Sequence, residues 1–212
     1  MPKHALTLLL AALLLAVAGP GQAERFQEGT HYRVLEEPQS TVDDERIEVR
    51  EFFSYACPFC HQFYPMIDNY MSNAPDDVTL VHHPVVFRAE WEPVARAYVV
   101  ARELDVVDEM HGAIFVAYHE ENNRITSMED AQPLFAQYAG IEADAVSDAW
   151  DSFAVETSLR RYNRAAQAYG VSATPSLAVN GKYYTDPRMA GSMDALLQVV
   201  DYLVERERRA DQ

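Results

Sequence analysis

The chain has 212 residues, with 33 acidic side chains against 17 basic ones and a formal net charge of −16 at neutral pH. Phosphate binding needs a basic footprint, so this balance excludes nucleic acid as a natural partner. Only two cysteines occur, which excludes a disulfide-stapled scaffold, and a chain of this length buries a full core without one.

Residues 1–23 read as a cleavable secretory signal. A weakly basic start with Lys3 leads into the 15-residue apolar run Ala5 to Gly19, and Gly21-Gln22-Ala23 supplies the small residues of a cleavage site near Ala23. The run is shorter than the roughly 20 residues a comfortable membrane span needs, and no later segment is apolar enough to cross a bilayer. The mature protein then begins near Glu24, outside the cytoplasm, where disulfides persist. Lys182 is its single lysine, the other bases being arginines; an acidic, lysine-poor surface of this kind suits a saline habitat, where screening tolerates self-repulsion.

Further along, His31 to Pro38 begins with a short edge strand. Arg46 to Tyr55, rich in β-branched and aromatic residues, predicts a strand with Ile47, Val49 and Glu51 on one face and Phe52 on the other. Pro58 suits the first turn of a helix that carries Phe63, Met66, Ile67 and Tyr70 at helical spacing and is kinked by Pro65. Val78 to Phe87 predicts the second strand. From Arg88 to about Ala168 the pattern is helical. One helix bearing Ala95 and Val99 ends near Asp105, and another carries Ile114, Phe115 and Tyr118. A third opens on a Thr126/Glu129 capping box and stops at Gly140, and further helix ends at Gly170. Pro175 to Tyr184 returns to strand, with Asn180-Gly181 as a hairpin turn. A last amphipathic helix from about Ser192 aligns Met193, Leu196, Leu197, Val200, Leu203 and Val204. The order predicts an α/β sheet domain built from the two ends of the chain, residues 24–87 and 159–212, with an all-helical insertion over 88–158.

Cys57 and Cys60 stand three apart in "EFFSYACPFCHQFYP". A bridge between them closes too short a loop to restrain the unfolded chain, so the pair reads as chemistry. As half of a zinc site it lacks a second ligand pair. His82 and His83 point to opposite faces of a strand, and His111 and His119 lie eight apart, more than two helical turns. No metal centre is expected. A redox dithiol at a helix N-terminus remains, where free N–H groups favour a thiolate. Cys57, outermost, is expected to be the acidic, attacked sulfur and Cys60 the shielded, resolving one. A stabilised thiolate is the better leaving group, which makes the disulfide an oxidant.

The segments "EFFSYACPFC", "VHHPVVF", "YGVSATPSLAVNGKYY" and "VVDYLVERER" resemble the DsbA family of periplasmic thiol:disulfide oxidoreductases, from about Phe26 to Arg208. The resemblance implies a thioredoxin fold with an inserted all-helical domain. It implies donation of the Cys57–Cys60 disulfide to unfolded secreted proteins through a mixed disulfide, with no cofactor beyond the cysteines. It also implies reoxidation by a membrane quinone-linked partner of the DsbB type; a monomer is the default state. Cys57 matches the family's nucleophile and Cys60 its buried cysteine. Thr174-Pro175 matches the loop whose proline is cis and whose backbone pairs with substrate peptide. Pro58 and Phe59 are the intervening pair on the substrate side, and Glu51 matches the buried acid that relays the proton of Cys60.

Three positions depart from the family's best-known pattern. Phe59 replaces a histidine, which predicts a less acidic Cys57 and a weaker oxidant. Thr174 replaces a small aliphatic residue, and its hydroxyl is placed to bond a cysteine sulfur. Leu80 is expected opposite Glu51, where some relatives carry a basic partner. His61, Trp91, Phe115, Tyr118, Met66 and Met189 are read as solvated or packing residues. The rival readings are a reductase or isomerase of the same superfamily and a peptide-binding chaperone with incidental cysteines.

Overall fold

The computed structural model of the protein describes residues 25–210; the expected signal segment lies outside them. A five-stranded sheet runs in the order β1-β5-β4-β2-β3. The interior strand β2, Ile47–Phe53, is buried at every residue. It lies parallel to β3, Val78–Pro84, and antiparallel to β4, Ser176–Val179. Burial on both faces includes its charged residues, which are paired: Arg50 with Glu48, and Glu51 with His82 of β3. Strand β5, Tyr183–Thr185, returns antiparallel to β4, and the two-residue strand β1, Arg33–Val34, edges it.

The first helix, α1 (Pro58–Ser72), begins on Pro58 and continues through Pro65. The helical segment follows: α2 (Glu92–Glu103), α3 (Val107–His119), α4 (Met128–Ala139), α5 (Ala143–Trp150) and α6 (Phe153–Ala168). After the hairpin come the short α7, Pro187–Ala190, and α8, Met193–Ala210. Helices α1 and α8 cover one face of the sheet, packing Phe63, Ile67, Leu196, Val199 and Leu203 on Val49, Leu177 and Val179. The end of α6 covers the other face, with Ala166 and Tyr169 against Phe52, Ala178 and Tyr184. The third apolar cluster joins the helical segment to Phe53, Tyr55 and both cysteines. The dithiol therefore sits at the seam between sheet and helices.

Local differences from the sequence reading have local causes. The capping box of α4 uses Ser127 and Asp130, one residue later than Thr126 and Glu129. Thr126 still takes part, its N–H and hydroxyl both donating to Asp130. The helix expected to run on to Gly170 is two helices, because Ser152 caps α6 by accepting from the Val155 N–H at 3.1 Å. Helix α6 then runs without a break across residue 158. Helix α7 is held by Asp186, whose carboxylate accepts from the N–H groups of Arg188 and Met189.

Candidate active site

Strand β2 delivers the chain into the turn Ser54 to Cys57, closed by a Cys57 N–H to Ser54 C=O bond of 3.0 Å. Cys57 then stands in extended conformation at the N-cap of α1. The first turn of α1 carries no acidic side chain, so nothing there opposes negative charge at the free amides. Cys57 keeps 6% of its surface exposed and Cys60 none, which leaves Cys57 as the sulfur an incoming thiolate reaches. Both cysteines are free thiols in this state.

The two sulfurs have opposite acidity. Cys57 is lowered to about 6, first by the hydrogen bond from the Cys60 thiol, then against burial by the Thr174 side chain and the N–H groups of Cys60 and Phe59. Helix-end amides contribute, as the sequence implied, but the neighbouring thiol contributes most. Cys60 is pushed well up, by burial first, then by its hydrogen bond to Cys57 and by the negative charges of Cys57 and Glu51. The pair thus holds one proton, on the inner sulfur.

The Thr174–Pro175 peptide is cis and lies against the dithiol, the Cys57 Sγ standing 3.5 Å from the Thr174 carbonyl oxygen, to which it donates only as the protonated thiol. Pro175 is buried and Thr174 half-buried, directly before β4, while Pro58 and Phe59 are exposed on the outer side of the motif. Cys57 and Thr174 meet here across the fold, and the exposed Pro58 and Phe59 continue the surface from Cys57.

Glu51 sits beneath this surface on β2, 1% exposed. The residue opposite it is His82, not Leu80, because β2 and β3 pair in a register that sets Leu80 against Val49. Parallel register is fixed by the whole ladder, which the sequence of one strand does not reveal. His82 Nδ1 lies 2.9 Å from a Glu51 carboxylate oxygen. His111 of α3 lies against it, ring centroids 4.1 Å apart, and its Nδ1 is 2.8 Å from the Tyr55 hydroxyl. His83, on the other face of β3, meets the Tyr162 carbonyl instead. A second imidazole pair borders α1: His61 stacks on His119 with centroids 4.7 Å apart and planes 6° apart, and His119 Nε2 donates to the Tyr55 carbonyl. His61 is therefore packed rather than simply solvated. Phe115 is buried between Tyr55, Tyr64 and His111.

Sequence reasoning missed this layer of histidines because it joins β3, α1 and α3, which are far apart in the chain. The only signal was their number, 7 histidines beside 2 cysteines. Among the described residues, Glu51, His82 and His111 are the group able to hold a metal ion.

The DSBA-like thioredoxin domain family matches residues 48–201. The thiol:disulfide interchange protein DsbA of Pseudomonas aeruginosa is 32% identical over 206 residues, covering 95% of this chain and 97% of its own. The protein of that name from Bordetella parapertussis is 34% identical over 203 residues, with 95% and 96% covered. Among solved structures, P. aeruginosa DsbA superposes with a TM-score of 0.83 at 31% identity, covering 89% of this chain and 98% of that one. The oxidoreductase DsbA from Xylella fastidiosa gives 0.81 at 29% identity, covering 86% and 98%.

Proposed function

The chain belongs to the DsbA family of thioredoxin-fold proteins, and from that membership we propose that it is a dithiol oxidase acting on newly secreted proteins. The observation that carries the reading is the split acidity of the two sulfurs, with Cys57 near 6 and Cys60 well above the usual thiol range.

The steps follow from that split. A substrate thiolate attacks Cys57 Sγ of the disulfide, the Cys57–Cys60 bond breaks, and the electron pair goes to Cys60, which takes up a proton. A mixed disulfide now joins Cys57 to the substrate. A second substrate thiolate attacks the substrate's own sulfur and expels Cys57 as a thiolate. The substrate gains a disulfide and the protein is left reduced by two electrons. Cys57 is a good leaving group because its thiolate is stabilised, so the last step runs toward the oxidised substrate. Glu51, buried near Cys60, is the group that passes the proton to the inner sulfur, with His82 as its hydrogen-bonded partner. An extended peptide is held by the backbone at Thr174 through strand addition, beside Pro58, Phe59 and Pro175.

The redox chemistry needs no organic cofactor. The protein works in the periplasm after removal of its leader, as a monomer, and a membrane quinone-linked oxidase of the DsbB type restores its disulfide. Supporting these points are the leader-like start of the sequence and the family pattern. The reductase and isomerase readings are disfavoured by the acidity of Cys57, which favours the reduced protein and so gives the disulfide away.

Equilibration with glutathione tests the direction. The dithiol form should dominate in buffers that leave ordinary structural disulfides intact, and Cys57→Ser should abolish oxidation of a reduced substrate protein. A predominantly oxidised protein under those conditions would mark a reductase, and full activity of the variant would leave only peptide binding.

A further inference from the structure

We propose that Glu51, His82 and His111 form a binding site for a divalent transition-metal ion of the zinc type, beneath the dithiol and independent of its sulfurs. The sequence reading, confined to cysteine motifs and neighbouring histidine pairs, expected no metal. The structure takes one ligand from each of β2, β3 and α3 instead.

Two imidazole nitrogens and one carboxylate oxygen are a donor set suited to borderline cations, and three protein ligands leave a coordination position for water or a ligand. One such atom from each residue lies within 4.8 Å of the other two. Zinc binds at about 2.0–2.2 Å from nitrogen and oxygen. Tetrahedral donors then stand roughly 3.5 Å apart, so side-chain adjustments of about 1 Å complete the set.

His111 supplies the independent sign of a ligand. It is 5% exposed, and its Nε2 is buried without any hydrogen-bond partner. Buried ring nitrogens are ordinarily paired, because burial without a partner forfeits their bonds to water. Its other nitrogen is already engaged by the Tyr55 hydroxyl at 2.8 Å. That contact fixes the ring, and in the tautomer whose Nδ1–H donates to the phenol oxygen the Nε2 lone pair is free. Metal-bound histidines are held by an outer partner in this way. Glu51 adds a buried negative charge whose hydrogen-bond partner is His82. A cation displaces the proton between them and compensates the carboxylate.

Access is available through His82, whose side chain keeps 19% of its surface and lines a groove of about 860 Å³ between β3 and helices α2 and α6. Tyr98 stands at the same point, its hydroxyl donating to the His82 carbonyl at 3.1 Å.

The test uses the mature protein with its Cys57–Cys60 disulfide formed, so that no thiolate competes, after treatment with a chelator. Cobalt(II) is titrated in and its visible absorption recorded, followed by displacement with zinc(II) and thermal unfolding with and without zinc. One equivalent of cobalt should bind with the intense d–d bands of a four- or five-coordinate nitrogen–oxygen site and no sulfur charge-transfer band, and zinc should displace it and raise Tm. Glu51→Gln and His82→Gln should abolish the band and the Tm rise, and Tyr55→Phe should weaken binding by about 10–100-fold. His82 is only partly buried, so its variant keeps the test decisive where a buried substitution fails to fold, as checked by circular dichroism. Absence of a cobalt band in the natural protein would overturn the proposal. So would a band that survives both Glu51→Gln and His82→Gln, which would place the ion elsewhere, for example at His61 and His119.

Discussion

Cys57 owes its acidity to neighbours a few ångströms away. The largest is the Cys60 thiol, followed against burial by Thr174 and the first amides of α1. Phe59, 57% exposed between the cysteines, contributes an amide and no charge. A histidine there adds positive potential beside the thiolate when protonated. Phe59→His should therefore lower the Cys57 pKa below about 6 and make the disulfide more oxidising. Ultraviolet titration of the thiolate and glutathione equilibrium measure the two effects, and unchanged potentials in the variant would refute the argument. The dithiol itself was legible in the sequence because its three-residue spacing and Pro58 are local features. The Glu51–His82 contact was not, since it depends on a register between strands 31 residues apart.

At the scale of elements, the β4–β5 hairpin depends on two left-handed residues, Asn180 at φ 50° and Gly181 at φ 64°. The asparagine-glycine pair announced this turn. What it did not announce is the chain lying against it. Gln39 donates its N–H to the Gly181 carbonyl at 2.7 Å, and a Cβ on Gly181 would overlap the Gln39 carbonyl oxygen. The turn is also tied to α8, where buried Glu207 accepts from Asn180, Lys182 and Tyr183. Gly181→Ala meets both a disfavoured backbone conformation and this overlap. It should cost about 1–3 kcal/mol of stability, read as a lower urea midpoint, while the Cys57 titration stays unchanged. The same distinction explains α5 and α6. Their helical period ran continuously in the sequence, and Ser152 became a cap only where the packed chain needed to turn.

For the whole molecule, the acidity of Cys57 is also a statement about folding. Its pKa is near 6 in the folded reduced protein and near 9 in an unfolded chain. The unfolded state therefore binds more protons between these values, and the reduced form gains stability as pH rises from about 6 to about 9, by roughly 1.4 kcal/mol per unit. As pH falls through about 6 the gain is lost. Cys60 works with the opposite sign only above the usual thiol range, because its folded pKa is raised. The oxidised form lacks both groups. Urea unfolding of the two forms across this range should show the reduced protein ahead at neutral pH, with the difference shrinking toward pH 6. A difference independent of pH would separate the thiolate from the redox poise.

The sequence by itself determined the strand–CPFC–helix motif, the helical stretch, the turn at Asn180-Gly181 and the family resemblance, because the first three rest on spacing between near neighbours in the chain and the last on several such segments taken in order. Tertiary structure alone decided which side chains meet beneath the dithiol. Glu51, His82 and His111 come from two strands and a helix. Their juxtaposition is set by sheet register and by how the helical segment packs on the sheet. Such long-range geometry is a property of the folded core and leaves no periodic trace in the chain.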